Sequence, residues 1–206
     1  MRMFKLALIA MAALLLGSAS ASAITVKKRT EGPGLPPEIW KIVGDFCAIK
    51  TWHPVVADCV ETKEGDVTYR TLTLKDGGKI KEKLTGTEDL GYSYEIVESP
   101  LPVKNYKSKL WLEVDDEPDR SVIYWQSDFD ANGASDDDAK AKITGILADG
   151  VKGIKQQAIT AHDAFWRAAN SEPKTKINRP TWRAPLRPKR SPSAPPLKRK
   201  PAKTSP

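Results

Sequence analysis

Residues 94–106 read YEIVESPLPVKNY, and the run continues from Tyr106 to Val114 as YKSKLWLEV. Tyr92, Tyr94 and Ile96 alternate with polar neighbours, the period of a half-buried strand. Pro100-Leu101-Pro102 ends that strand, because proline has no N–H to give to a ladder. Alternation resumes through Tyr106, Ser108, Leu110, Leu112 and Val114, so two strands meet at a proline corner. Upstream, Val67–Leu74 and Lys79–Thr85 flank Lys75-Asp76-Gly77-Gly78, a hairpin signal. Downstream, Ser121 to Phe129 supplies the last strand. Residues 55–130 therefore predict an antiparallel meander, preceded by a short strand at Ile24–Arg29 and a break at Gly32-Pro33-Gly34. The count gives a curled sheet of about six or seven strands.

Two helical segments complete this pattern. Pro36-Pro37 opens the first, as proline is tolerated in a first turn, and Ile39, Ile42, Val43 and Phe46 recur at helical spacing. A short turn over Lys50–His53 then stops at Pro54. The second helix is long. Ser135 caps its N-terminus, Asp136, Asp137 and Asp138 sit at the positive end of its dipole, and Ile143, Ile146, Leu147, Val151, Ile154 and Ala158 form one apolar stripe. Gly145, Gly150 and Gly153 interrupt it at a cost of up to about 1 kcal/mol each. Close packing on the sheet, or a helix that yields when a cavity fills, would account for them.

Residues at both ends stand apart from this domain. Arg2 and Lys5, the apolar run Leu6–Leu16 and Ala21-Ser22-Ala23 have the layout of a cleavable signal peptide over residues 1–23. The apolar run is shorter than the roughly 20 residues a membrane span needs, so the mature chain is expected to be periplasmic or secreted, with no transmembrane segment. Cys47 and Cys59 are the only cysteines; export favours a disulfide between them, with two buried free thiols as the other reading. The formal net charge of +7 conceals a division. Residues 24–169 hold 20 Lys and Arg against 25 Asp and Glu, whereas residues 170–206 hold 11 basic residues and only Glu172. The latter, rich in Pro, Lys and Arg, is expected to be a disordered tail. Its charge suits an anionic surface or an acidic exported protein, and export argues against nucleic acid.

The proline corner, Trp52-His53-Pro54 and the order of elements resemble the SRPBCC superfamily of START-like, helix-grip domains, over roughly residues 26–157. The polyketide-cyclase and MxaD-like branches are the most similar. The resemblance implies an α+β fold in which a curved antiparallel sheet wraps a long C-terminal helix and encloses a cavity. It also implies a range of roles: some members cyclise polyketides, others carry lipids or hormones. Exported MxaD-like members are linked to periplasmic methanol oxidation, where they are thought to aid electron transfer from the dehydrogenase to its cytochrome. The segment FCAIKTWHPVVADC, residues 46–59, favours that last branch.

Candidate site residues follow from strand parity. In KIKEKLT, residues 79–85, the lysines share one face and leave Ile80, Glu82 and Leu84 on the other, so a carboxylate points inward. Arg70, Leu72 and Leu74 face inward on the partner strand. A loop of Asp76–Gly78 would pair Leu72 with Glu82 and Arg70 with Leu84, placing Arg70 diagonal to Glu82 and within reach. Glu82 then reads either as a general base with a raised pKa or as half of a structural ion pair. Trp52 and His53 on their short turn read as a lid over a flat ligand or as a packed corner. Tyr94 and Tyr106 are candidate cavity residues, Tyr106 because the corner sets it at a strand start. No Ser-His-Asp order, nucleotide loop or metal-ligand spacing stands out, so no cofactor or metal is expected. The leading expectation is an exported, non-enzymatic protein that binds a small hydrophobic ligand or an exported partner. Two alternatives are a cyclase-like enzyme using Glu82 or His53, and an envelope-binding module acting through the basic tail.

Overall fold

The computed structural model describes residues 23–171; the proposed signal peptide and basic tail lie outside the described residues, save for the edges at Ala23, Asn170 and Ser171. Seven strands form one antiparallel sheet: β1 (Ile24–Pro33), β2 (Val56–Glu64), β3 (Val67–Leu74), β4 (Lys79–Glu88), β5 (Gly91–Glu98), β6 (Val103–Val114) and β7 (Arg120–Ala131). Their spatial order is β1-β7-β6-β5-β4-β3-β2. The meander expected from the sequence thus runs from β2 to β7, and β1 closes the far edge by pairing with β7. Helices α1 (Pro36–Val43) and α2 (Ile49–Trp52) carry the chain from one edge to the other, and α3 (Asp136–Ser171) packs on the sheet. This is the helix-grip arrangement: one sheet face is dry against α3, and the other faces water.

Boundaries moved where pairing outweighed local signals. β1 continues through Gly32 and Pro33, because β7 offers partners as far as Arg120; the break falls at Gly34, whose φ is +98°. Phe46 lies beyond α1, in the turn before α2, and is buried there. Val114, grouped with the inward residues by alternation, is exposed at the end of β6. Ser135 Oγ accepts from the Asp138 N–H at 3.1 Å and donates to its carboxylate at 2.7 Å, so the expected cap forms. The apolar stripe of α3 is buried as read, with Ile146 only partly covered.

A shift of the hairpin changes the proposed ion pair. The β3–β4 turn is closed by Leu74 and Gly78, with Leu74 N–H donating to Gly78 O at 2.8 Å. The loop is therefore Lys75–Gly77, one residue earlier than expected, because Gly77 takes the positive φ of +89° that its last position requires. Leu72 consequently faces Ile80, and Arg70 sits directly opposite Glu82. The diagonal placement was wrong, but a shift of two in the index sum preserves parity, so both charged groups still point inward.

Cys47 and Cys59 form a disulfide with Cα atoms 5.4 Å apart. It ties the turn before α2 to the inward face of β2, and α2 carries Trp52, with His53 as its C-cap. Closing a loop this short is worth up to about 3 kcal/mol in the chain-entropy account.

Candidate functional site

Between α3, the hairpin β3–β4 and the proline corner lies a cavity of about 400 Å³. Its walls are mostly aliphatic, from Leu72, Ile80, Ile96, Leu101, Ile143 and Ile146 among others, and the corner contributes Pro100 and Pro102. Of the expected site residues, His53, Glu82, Tyr94 and Tyr106 line it, while Trp52 and Arg70 do not. Trp52 is buried behind the wall, edge-on to Trp125 with ring centroids 5.6 Å apart. It positions the lining and does not form a lid. Tyr106 lines the cavity in the alternation read from the sequence, and Val103 joins it on the inward face by a route the sequence concealed. A bulge between Lys104 and Lys107, with Asn105 at φ 53°, lets both Val103 and Tyr106 face inward despite their opposite parity.

Arg70 lies beneath the cavity, fully buried. Its Nε donates to Glu82 Oε2 at 2.5 Å, and its Nη1 donates to the Phe46 carbonyl and to Tyr92 Oη at 3.4 Å. The guanidinium carbon stands 4.0 Å from the centroid of the Phe46 ring and 4.9 Å from that of Tyr94, so aromatic faces supply further support. Burial works against the charge on Arg70, but Glu82 and the neighbouring tyrosines raise its pKa beyond its already high value. For Glu82, burial raises the pKa and Arg70 pulls it back. The net shift is upward; a guanidinium does not give up its proton in proteins, so Arg70 stays charged and favours the carboxylate form of Glu82 against that burial. Oε2 is occupied, and Oε1 has no hydrogen-bond partner among the described residues.

A proton count through the neighbouring hydroxyls shows what else the cavity offers. Ser108 Oγ donates to the Gln126 carbonyl at 2.7 Å, which uses its only hydrogen. Ser127 must then donate to Ser108 across 2.9 Å, and Tyr106 to Ser127 across 2.6 Å. Trp125 Nε1 donates to Ser108 at 2.9 Å and to Tyr94 Oη at 3.1 Å. The Tyr94 hydroxyl thus accepts from Trp125 and sits beside the Ser108 and Tyr106 hydroxyls. Burial raises the pKa of Tyr94 well above the usual phenol range, and that of Tyr106 as well, so both remain neutral. The polar groups on the lining are thus the Tyr94 hydroxyl and the Glu82 carboxylate, together with Lys75, Asp76 and Lys142. Sequence reading takes Trp125 as a strand aromatic able to line the cavity, as it does, and misses Ser108 and Ser127; serines at inward positions of otherwise apolar strands were the available signal.

His53 is committed to the backbone on both sides. Nε2 lies 3.1 Å from the Ile146 carbonyl, which can only accept, so Nε2 carries the hydrogen; Nδ1 accepts from the Val55 N–H at 3.4 Å. This is the neutral tautomer, and burial holds the pKa below the ordinary 6.5, with the Ile146 carbonyl and Asp149 opposing the shift and Arg70 adding to it. Because the folded-state pKa is depressed, the unfolded chain takes up the proton first as pH falls. The contribution of His53 is present in full above about pH 6.5 and is lost as pH drops below it, by up to about 1.4 kcal/mol per pH unit. His53→Gln keeps a donor toward Ile146 and removes the titration. Melting curves between pH 7.5 and 5 should therefore fall less steeply for the variant than for the parent. Parallel curves would mean that His53 does not titrate on unfolding.

Among the described residues, no group of three His, Cys, Asp or Glu gathers as metal ligands, and no helix is long and apolar enough to cross a membrane.

A curved sheet gripping a long helix around a mostly apolar cavity defines a ligand-binding domain of the START-like class. The chain belongs to the family described as "Polyketide cyclase / dehydrase and lipid transport", which matches residues 24–158. The protein XoxI of Bacillus cereus is 28% identical, with a TM-score of 0.63 over 67% of this chain and 97% of that one. The Zhui aromatase/cyclase of a Streptomyces species shares the fold at 13% identity and a TM-score of 0.57, over 71% of this chain and 98% of its own. A START superfamily protein of Mycobacterium smegmatis does so at 14% and 0.56, over 66% and 98%. No curated protein matches the chain.

Proposed function

We propose that the protein is an exported, non-enzymatic binder of a small apolar ligand bearing a single polar end. The observation that carries this reading is that Glu82 and His53, the two candidate catalytic groups on the lining, are already engaged. Glu82 faces Arg70, and both nitrogens of His53 are bonded to backbone. A general base must take a proton from the substrate; the Arg70 guanidinium beside Glu82 favours its carboxylate form and so opposes uptake there, and His53 would first have to release a backbone bond. What remains suits recognition: mostly aliphatic walls, with the Tyr94 hydroxyl and the Glu82 carboxylate as polar contacts among them. A hydroxyl on an otherwise apolar body would complement both, and a cavity of about 400 Å³ is within the range of small-ligand sites.

Export is supported by the layout of residues 1–23 and by the Cys47–Cys59 disulfide, which suits an oxidising compartment. The MxaD-like accessory role remains the finer proposal. Its support is the segment 46–59, which forms the disulfide-closed turn, α2 and the start of β2.

Uptake of a neutral naphthylamine fluorophore tests the cavity. The parent should bind it saturably, and Ile146→Trp, which fills the cavity from α3, should weaken binding roughly tenfold or more, about 1.4 kcal/mol. Tyr94→Phe should leave that apolar probe bound but weaken displacement of it by a naphthol. Binding indifferent to Ile146→Trp would place the probe elsewhere and remove the reading.

A further inference from the structure

The family match ends at Ala158, yet α3 continues to Ser171. In that continuation Phe165 and Trp166 are 65% and 49% exposed, and Leu35 at the start of α1 is 45% exposed. They stand beside a groove of about 380 Å³ between α1 and α3, whose apolar lining includes Ile39, Ile42, Ala158 and Ala161. The groove shares no lining residue with the cavity. At about 1.5 Å of rise per residue it lies roughly 20 Å or more farther along α3. Trp166 is held in place: its Nε1 donates to His162 Nε2 at 2.9 Å, and its ring meets Phe165 edge-on at 5.5 Å. A fixed, half-exposed tryptophan beside an apolar groove has the character of an interface anchor, since little side-chain freedom is left to lose on binding.

The surrounding charge identifies the occupant. Glu38 and Asp119 line the groove, Asp163 is one residue from His162, and Asp115, Asp116 and Glu117 precede Asp119 in the β6–β7 turn. Among the basic groups, Lys41 lines the groove and Arg167 follows Trp166, while Arg120 is engaged by Glu31, Asp115 and Glu117. Acidic groups outnumber basic ones, so a second copy of this acidic domain would be repelled and a cationic partner attracted. We propose that the groove docks a basic polypeptide segment of a partner protein, with an aliphatic or aromatic anchor entering beside Trp166 and Ile39. Lys or Arg on either side of the anchor meets Glu38, Asp119 and the acidic turn.

The test uses the full chain and a fluorescein-labelled eight-residue peptide of alternating lysine and leucine, followed by anisotropy. Binding should be saturable at low salt and should weaken steeply toward physiological ionic strength. A peptide with glutamate in place of lysine should not bind. Trp166→Ala combined with Phe165→Ala should weaken binding roughly tenfold. Glu38→Gln with Asp119→Asn should weaken it and flatten its salt dependence. None of these changes should alter fluorophore uptake by the cavity or the melting temperature, which keeps this test separate from the one above. Affinity indifferent to both pairs of substitutions overturns the proposal. Concentration-dependent dimerisation lost in Trp166→Ala would assign the surface to a second copy instead. Peptide binding that emerges only after removal of residues 172–206 would point to a competing basic segment within the chain.

Discussion

Glu82→Gln should lower the melting temperature by about 10 °C. Breaking a buried ion pair by removing one partner costs roughly 3–5 kcal/mol, and each kcal/mol is worth about 2–4 °C in a domain of this size. The shape is kept, so the loss is electrostatic: Arg70 is fully buried, cannot deprotonate, and would keep the Phe46 carbonyl, Tyr92 Oη, the aromatic faces and a neutral amide oxygen, but no counter-ion. One nitrogen, Nη2, is already without a partner among the described residues, so nothing is in reserve. The double variant Arg70→Met with Glu82→Leu should recover much of the loss, since apolar replacement of a buried pair is often close to neutral. The cycle closed with Arg70→Met and Glu82→Leu as single variants then measures the coupling directly. Single and double variants that both melt within a degree of the parent would show the pair to be energetically idle. If Glu82→Gln spared stability but abolished turnover of a polyketide-like substrate, Glu82 would be catalytic and the binding-only reading would fail.

How far this pair was legible in the sequence shows where the physical information lies. Parity alone put Glu82 and Arg70 on the inward face, because side chains alternate without exception along regular strands. Their direct pairing was not legible, since it depends on which residue of Lys75-Asp76-Gly77-Gly78 takes the positive φ, and two adjacent glycines leave that open. The sheet, the gripping helix and the Ser135 cap were readable because each rests on local periodicity or local hydrogen bonding. The cavity's hydroxyl chain was not, because Ser108, Ser127, Tyr94, Tyr106 and Trp125 come together only when β5, β6 and β7 are set side by side. Bulges add a second concealment. Tyr106 and Val103 share a face only through the irregularity at Asn105, which no alternation count registers. Trp52 failed as a lid for a related reason: helix-to-strand corners look alike in sequence whether they cover a cavity or support its wall.

The three glycines of α3 should respond to alanine in opposite directions, and Gly153→Ala should be among the most damaging single changes in the domain. An added Cβ there would lie 1.8 Å from the Trp52 carbonyl oxygen and 2.9 Å from its carbon. Backbone cannot rotate aside, and it is pinned on both sides: Gln157 Nε2 donates to the Thr51 carbonyl at 3.0 Å, and His53 bonds to Ile146. Relief therefore requires α3 to lift from α2, loosening the buried Leu147, Val151 and Ile154 with it. Overpacking usually costs about 1–3 kcal/mol, and a clash with fixed backbone should reach or exceed the top of that range. Gly150→Ala should be nearly as costly, with its Cβ 2.1 Å from the Trp125 ring, which is held by its bonds to Ser108 and Tyr94. Gly145 has nothing within 4 Å of such a Cβ, so Gly145→Ala should stabilise by up to about 1 kcal/mol through helix propensity alone. Melting temperatures should therefore rank Gly153→Ala lowest, then Gly150→Ala, the parent, and Gly145→Ala highest. Gly153→Ala at or above the parent would mean that α3 is free to shift, and that a yielding helix, not close packing, explains the glycines. The same helix carries Ile143 and Ile146 into the cavity wall, so Gly153→Ala should also weaken fluorophore uptake. A helix that must approach α2 to backbone contact holds the cavity at one width, and the glycines set that width.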